Sequence, residues 1–477
     1  MYREYPATHI FVELKRDNLL PAILFRTSRK QCDNDIITLA KSRGCVLSPQ
    51  EQLSLRKEVL KVIDKYKMDR EIVFAHPQYP TLIQSGVGAH HAGQLLIWRL
   101  LLEELMSRGV LRLMVATGTV AAGVDFPART VVITAHSRRG NDGFRLISAS
   151  ELQQMSGRAG RRGKDTVGFC IVAPSIYSDA RVIAEVAKKP PEPLRSVYFA
   201  SPSTVLNLLR YRSVDDLRYT VSKSLASFLD QKEADRLQKD AKQSEAELST
   251  KKADPATQRR IQKRIRRQLR SAEALRKRQL EILNRSLEGL ERLGHLEEGK
   301  LTAKGYWAAN LCTSLVLELA EAIDRGLFSN LMVEELAALV ASISGTKHKT
   351  YLSIRQNPIS KDLFKEMQKI IDDVKEAYEK PPGIQEVFLS IDAATTVVSW
   401  MEAESWLEFA GILRLAGVAE GDVARLVSQT ADHLHQISRL YETHPELAAC
   451  AEEARGRILR PPLSEVLAAT QLEQKEG

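Results

Sequence analysis

The sequence predicts a multidomain chain in which an α/β unit with a mainly parallel sheet is followed by a mostly helical remainder. Two patterns carry this. In the first third, short β-rich runs at 21–25 (PAILF), 110–117 (VLRLMVAT), 130–135 (TVVITA) and 167–173 (VGFCIVA) alternate with helical patterns such as HAGQLLIWRLLLEELMSRG. In that segment apolar residues recur at three and four, and strands spaced by helices pair in parallel. After the Pro-rich stretch KKPPEPLRS at 188–196, strand signals nearly vanish. With 477 residues and 44% hydrophobic content, the chain is long enough for three or so domains at about 100–200 residues each.

The first unit is expected over 1–187. Beyond it, SVDDLRYTVSKSLASFL and LNRSLEGLERLGHLEEGKLTAKGYWAANL read as two pieces of one small domain, 188–230 and 281–312. In the second piece a helix ending at Gly294 leads into a turn-bearing ribbon and a further helix, the pattern of a winged helix. Between the pieces, 231–280 forms two charged helical stretches broken at KKADPATQ, where Asp-Pro disfavours continuation. A helical hairpin inserted into the winged helix is the simplest geometry. From 313 to 477 helix follows helix, a C-terminal helical bundle.

The formal net charge is +9, and it is concentrated. Between Lys251 and Arg278 stand twelve Lys and Arg against only Asp254 and Glu273. Arg259, Lys263, Arg266 and Arg270 form one row and Arg260, Arg264 and Arg267 another, which leaves Ile261, Ile265 and Leu269 to pack on the preceding helix. This points the charge outward, toward a nucleic acid; a solvated helix face is the plainer alternative. Cys32, Cys45, Cys170, Cys312 and Cys450 are scattered and never paired as C-x-x-C, so neither a disulfide framework nor a metal site is expected. No apolar run approaches the roughly 18 residues of a membrane span, and the N-terminus has no signal-peptide core. A cytoplasmic location is the expectation.

The stretch QMSGRAGRRG at 154–163 holds three arginines and three glycines. Phosphoryl transfer is catalysed largely by positive charge placed on the oxygens that gain negative charge, and arginine suits this because its planar fork stays protonated and bonds two oxygens at once. Arg158 and Arg161 are three apart on an expected helix start, so both can face one ligand. Gln154 can orient a water or a phosphate oxygen, and Gly157 and Gly160 permit close approach. Upstream, VATGTVAAGVDFPARTVVI at 115–133 is a buried strand followed by Thr117, Gly118 and Thr119, hydroxyls and backbone N–H groups placed to hold phosphate oxygens. Asp125 carries a carboxylate toward the same cleft.

Together these stretches resemble one family. FRTSRKQC (25–32), GVGAHHAG (86–93), VATGTVAAGVDFPA (115–128) and QMSGRAGRRG (154–163) are similar to helicase motifs IV, IVa, V and VI of the superkiller-like, exosome-cofactor branch of the superfamily 2 DExH RNA helicases. The likeness continues through the remaining segments over nearly the whole chain. It implies a second RecA-like domain at the N-terminus, then the winged helix with its inserted stalk and a helical bundle whose ratchet helix lies along RNA. It implies Arg158 and Arg161 as arginine fingers with Gln154 beside them, and Gly123, Asp125 and Gly157 at the nucleotide. Ser28, Arg29, His91, Gly93, Thr117 and Thr119 would line the RNA side. In the bundle Arg425, Gln429, Asp432 and Gln436 fall at i, i+4, i+7 and i+11, one helical face, and with Arg259, Arg260, Lys263, Arg264, Arg266 and Arg267 complete the RNA-binding set.

Two departures qualify the resemblance. The G-x-x-x-x-G-K-[ST] phosphate loop and the D-E-x-H motif of the family's first RecA-like domain do not occur in this sequence, so ATP and Mg²⁺ would be held chiefly by that first domain, in the same full-length chain or in trans. The chain alone is expected to be inactive. The inserted hairpin is also far shorter than the arch of eukaryotic relatives, which favours a bacterial type. The implied partners are RNA, single-stranded or partly duplex, the first RecA-like domain, and RNA-decay or ribosome-associated factors. A non-catalytic nucleic-acid-binding module and half of a DNA helicase are the competing readings.

Overall fold

The computed structural model describes residues 5–118, 126–140, 143–194, 196–250, 255–353, 358–381 and 386–464. Two compact units emerge. One comprises Met1–Pro193 with Glu402–Arg425 and Leu459–Gly477, the other Leu194–Met401 with Leu426–Ile458.

The first unit is built on five parallel strands, β1 (Ala22–Arg26), β2 (Val87–His90), β3 (Leu113–Thr117), β4 (Thr130–Ile133) and, after a small antiparallel hairpin β5 (Ser137–Gly140) and β6 (Gly143–Leu146), β7 (Phe169–Val172). Their order is β2-β3-β1-β4-β7. Ala22 stands level with both Leu113 and Thr130, Val87 with Leu113, and Thr130 with Phe169, so the strands start along one edge and end along the other. β1 through β4 are buried on both faces, which is why their sequences are nearly continuous apolar runs rather than alternating ones. Helices Ala7–Arg16 and Arg29–Lys41 cover one face, where Ile10, Phe11, Cys32, Ile36 and Leu39 pack on Ala22, Leu24, Leu113, Val115 and Val132. Helix Leu96–Ser107 comes so close that a Cβ on Gly88 would stand 2.6 Å from a Leu102 methyl.

Four expected strands coincide with β1, β3, β4 and β7. β2 went unread because VGAH is four residues long and half Gly and His, and β5 and β6 because SRRG and GFRL lack an apolar alternation.

In the second unit two long helices, Leu225–Thr250 and Pro255–Arg292, pack along one another. The buried line on the second runs Ile265, Ala272, Gln279 and Ser286, a seven-residue repeat facing the small Ala234 and Ala241 of the first. This corrects the expected packing row. Ile265 is buried, but Leu269 is 44% exposed, because a seam of period 3.5 steps from 265 to 268 and 272, leaving 269 at its flank. Near the base, buried Asp230 takes Arg278 and the Gln279 amide (2.9 Å), and Arg276 bonds Asp235 at 2.7 Å. A two-residue ribbon follows, β8 (Leu296–Glu297) and β9 (Lys300–Leu301), and Thr302 caps helix Ala303–Ala308. Helices Val316–Asp324 and Val333–Ser344 are almost wholly buried. Glu321 ties this region together, meeting Lys304 at 2.6 Å, Arg325 at 3.1 Å and His295 at 3.5 Å. Burial opposes its charge, but His295 and Lys304 hold its acid down at about 2.

Among the described residues no helix is long and apolar enough to cross a membrane.

Candidate functional site

The parallel sheet separates the motif residues onto two edges. At the carboxyl edge, β1 runs into Ser28 and Arg29, β2 into His91 and Gly93, and β3 ends on Thr117. A cleft of about 400 Å³ opens there, lined by Thr27, Thr117, Gly118, Thr134, Ser137 and Gln154, among others. Gln154 therefore stands with Thr117. Thr119, Gly123 and Asp125 lie outside the described residues.

The carboxyl-edge side chains are braced from within. Ser28 is the N-cap of helix Arg29–Lys41 and accepts the Gln31 N–H at 3.2 Å. His91 is 4% exposed; its Nε2 bonds Asp33 at 3.0 Å and its Nδ1 accepts the Gly93 N–H at 3.2 Å. Asp33 also takes the amide of Gln78 (2.8 Å) and that of Gln94 (3.3 Å), whose oxygen accepts from His76 at 2.8 Å. His76 stacks on Trp98 with ring centres 3.7 Å apart, and burial pushes its pKa down to about 3, so it is neutral. Arg29 pairs with Asp422 at 2.7 Å. The next residue back, Gly421, donates its N–H to the Gly93 carbonyl at 3.0 Å, and a Cβ there would stand 2.5 Å from the carbonyl oxygens of Ala92 and Gln94. A residue more than three hundred positions away thus locks the loop that carries His91 and Gly93.

At the amino edge stand the arginines. Helix Ala149–Ser156, opened by a Ser148–Glu151 capping box, ends at Gly157, whose N–H bonds the Gln153 carbonyl at 2.7 Å. Arg158 and Arg161 follow in turns, so the expected helix start is in fact a helix end. The glycines explain it: Gly160 has φ +91° and Gly163 φ +75°, left-handed values that end a helix rather than begin one. The loop is fastened to the start of β4, where the Ala128 N–H bonds the Arg158 carbonyl at 2.9 Å and the Gly160 N–H bonds the Ala128 carbonyl at 2.7 Å. It is fastened to β7 as well, where Gly168 packs so tightly that a Cβ would lie 2.5 Å from the Ala159 carbonyl.

Within that loop Arg161 is held by Asp165. Nε meets Oδ2 at 2.8 Å, Nη2 meets Oδ1 at 3.0 Å, and the Arg161 backbone N–H adds a third bond at 3.0 Å. The Asp165 side chain is 3% exposed and the Arg161 side chain 18%. Bonding to Arg161 holds the Asp165 acid at about 2. The sequence reading passed over Asp165, although an acid four residues after an arginine is a recognisable signal. Asp422 had no local signal at all.

On helix Glu420–Ser438, Arg425, Gln429 and Asp432 are exposed and Gln436 is half-buried, opposite a buried row of Val423, Leu426, Val427, Thr430, Leu434 and Ile437. Arg425 belongs to the first unit and the rest of the row to the second. Gln436 accepts the Cys312 N–H at 3.2 Å, and Gln429 lines a cavity of about 510 Å³ in the second unit with His433, Tyr378 and Lys380.

Arg259, Arg260, Lys263, Arg264, Arg266, Arg267 and Arg270 are all exposed. No ion pair reaches any of them among the described residues, whereas Arg276, Lys277 and Arg278 are each paired. A groove of about 600 Å³ is lined by seven residues of this one helix, five of them cationic. No cluster of His, Cys, Asp or Glu able to hold a metal occurs among the described residues.

Residues 298–465 match the DSHCT (NUC185) domain. The chain is 34% identical over 195 residues to the DExH-box ATP-dependent RNA helicase DExH10 of Arabidopsis thaliana, covering 40% of this chain and 19% of that protein. It is 33% identical over 213 residues to the human Exosome RNA helicase MTR4, 44% of this chain and 20% of the relative. A bacterial match, the Probable helicase HelY of Mycobacterium tuberculosis, is 29% identical over 231 residues, 48% of this chain and 25% of the relative. The chain thus spans a quarter or less of the length of these relatives. Residues 298–465 thus match the DSHCT (NUC185) domain, and the chain is similar to the DExH-box RNA helicases of the MTR4 and SKI2 kind.

Proposed function

We propose that this chain is the C-terminal half of an ATP-dependent RNA helicase that translocates on single-stranded RNA and unwinds duplexes. In this reading 1–187 is the second RecA-like domain, 188–230 and 281–312 the winged helix, 231–280 its basic hairpin and 313–477 the ratchet-type bundle. The observation that carries it is the division of the motif residues between the two edges of one sheet. Arg158 and Arg161 at the amino edge face the ATP bound by a phosphate-loop domain with its Mg²⁺, while Ser28, Arg29 and Thr117 at the carboxyl edge face RNA. β3 is five residues long, so the two edges are about 15 Å apart. A sheet buried on both faces deforms little. Binding at one edge therefore moves the other as a rigid body, which couples hydrolysis to movement along the strand.

The chain's own residues have limited tasks. Arg161 stabilises charge on the γ-phosphoryl oxygens, while Gln154, which lines the cleft with Thr117 rather than standing beside the arginines, joins the carboxyl edge in presenting hydroxyls, amide and N–H groups to RNA phosphates. ATP and Mg²⁺ supply the phosphoryl group and the neutralising charge. One observation favours the second reading, a non-catalytic RNA-binding module: the fork of Arg161 is already committed to Asp165. Turnover decides between them. In the helicase joined to its phosphate-loop domain, Arg161→Ala should lower RNA-stimulated ATP hydrolysis by about 10³-fold or more with little change in RNA affinity. Unchanged turnover favours the binding module, and an equal loss of affinity reassigns Arg161 to RNA.

A further inference from the structure

We propose that the outer half of helix Pro255–Arg292 is a docking surface for folded RNA, which it holds through phosphates rather than bases. Three observations lead there. The first is the division of charge along the helix. Toward its base the cations are neutralised inside the hairpin, Arg276 by Asp235 and Arg278 by Asp230. From Arg259 to Arg270 every cation is exposed and without an ion pair among the described residues. A helix that merely needed solubility would mix signs on this face; here the only acid between Asp254 and Glu281 is Glu273.

The second observation is what the hairpin lacks. From Phe228 to Tyr306 the sequence contains no other Phe, Tyr or Trp. Single-stranded RNA is bound by stacking unpaired bases on aromatic rings, at about 1–3 kcal/mol per base, and this surface offers none. Phosphates are the remaining handle. A flexible strand would have to be ordered along the helix without that return, whereas folded RNA presents phosphates already fixed in space.

The third is geometry. The cations extend over eleven helical steps, about 16 Å, and the groove they line lets several guanidinium groups converge on one phosphate run. Arginine suits this contact through its bidentate fork. The buried seam of Ile265 and Ala272 fixes one face of the helix and leaves the cations outward, so the surface is preformed. The proposal does not rest on the helicase reading, because it requires neither ATP nor the arginines of the sheet.

The test uses the full chain and two probes with equal phosphate count, a perfectly paired RNA hairpin and an unstructured polyuridine strand. Dissociation constants are measured between about 50 and 200 mM salt. A variant carrying Arg259→Gln, Arg260→Gln, Lys263→Gln, Arg264→Gln, Arg266→Gln and Arg267→Gln should lose about four phosphate contacts. This flattens the salt slope for the paired probe by about 3 to 4 and removes the roughly hundredfold span of affinity those contacts give across the range. Polyuridine binding should change far less, and Lys61→Gln, at an exposed cation outside the hairpin, should leave both probes unaffected. Gln is a good helix former, and a companion variant with Lys at the five arginines keeps the charge and should retain most of the slope. An unchanged slope for the paired probe overturns the proposal, as does an equal loss on both probes. Loss of binding to polyglutamate with RNA binding intact replaces it by an acidic protein surface.

Discussion

Replacing Asp165 with asparagine tests whether the carboxylate aims Arg161 or only steadies the loop. In the structure three bonds converge on Asp165 from Arg161 alone, and the acid sits at about 2 against an ordinary value of about 3.9. That difference corresponds to at most about 2.5 kcal/mol of preference for the paired state. Because water reaches Arg161, which is 18% exposed, screening leaves about 1 kcal/mol. If the clasp holds the guanidinium where it meets the transferring phosphoryl group, kcat for ATP should fall by about 5- to 70-fold in Asp165→Asn, well short of the loss in Arg161→Ala. KM for ATP and RNA affinity should stay close to wild type. The assay is steady-state RNA-stimulated hydrolysis by the helicase joined to its phosphate-loop domain. A kcat within twofold of wild type in both Asp165→Asn and Asp165→Ala, alongside a dead Arg161→Ala, would show that Arg161 finds its target without the clasp. The pH dependence follows from the same depression. A lowered acid stabilises the fold fully above about pH 4 and loses that contribution only as pH falls toward about 2, so this pair puts no step into an activity profile near neutrality.

Other outcomes follow from the same structure. The 477-residue chain by itself should show no ATP hydrolysis above background with or without RNA, since its sequence holds no phosphate loop; robust RNA-stimulated turnover by the pure chain defeats that. Gly421→Ala should cost about 2 kcal/mol or more and loosen the His91 loop, because the added Cβ meets two carbonyl oxygens at 2.5 Å; hydrogen exchange at residues 91–94 reads this, and unchanged protection refutes it. Glu321→Gln should destabilise the second unit by about 1–2 kcal/mol by removing the charge that Lys304 and Arg325 share, with Asp324 and Asp373 left to pair with them. The effect should be present at neutral pH and shrink below about pH 4, since the acid is held at about 2, with amide exchange of helix Val316–Asp324 as the measure.

The sequence disclosed what is encoded locally. Leu24 and Val115 lie in apolar runs, and such runs between helical patterns announce buried parallel strands. The glycines at 157–163 announce close backbone approach, although the helix start expected there is a loop that follows a helix end. What stayed hidden has three physical causes. β2 is too short and too rich in Gly and His for a periodic signal. The seam of the hairpin follows a 3.5-residue period, so a reading at 3.6 placed Leu269 inside when Gln268 is the half-buried neighbour of Ile265. The bonds to Arg29 and to the Gly93 loop come from Asp422 and Gly421, and no local pattern joins residues so far apart.

That last contact bears on how the chain is divided. The DSHCT match runs over 298–465, yet Glu402–Arg425 within it belongs to the same compact unit as the parallel sheet. The family segment is therefore not one physical unit. Its helix Glu420–Ser438 begins against the His91 loop, with Gly421 and Asp422, and continues with the exposed Gln429 and Asp432. If RNA contacts the carboxyl edge, as proposed, the Arg29–Asp422 pair within the first unit sets how Arg29 is presented to it. Breaking it with Asp422→Asn should then reduce coupling of hydrolysis to RNA more than it reduces RNA affinity, whereas a parallel loss of both would make Asp422 no more than a structural brace.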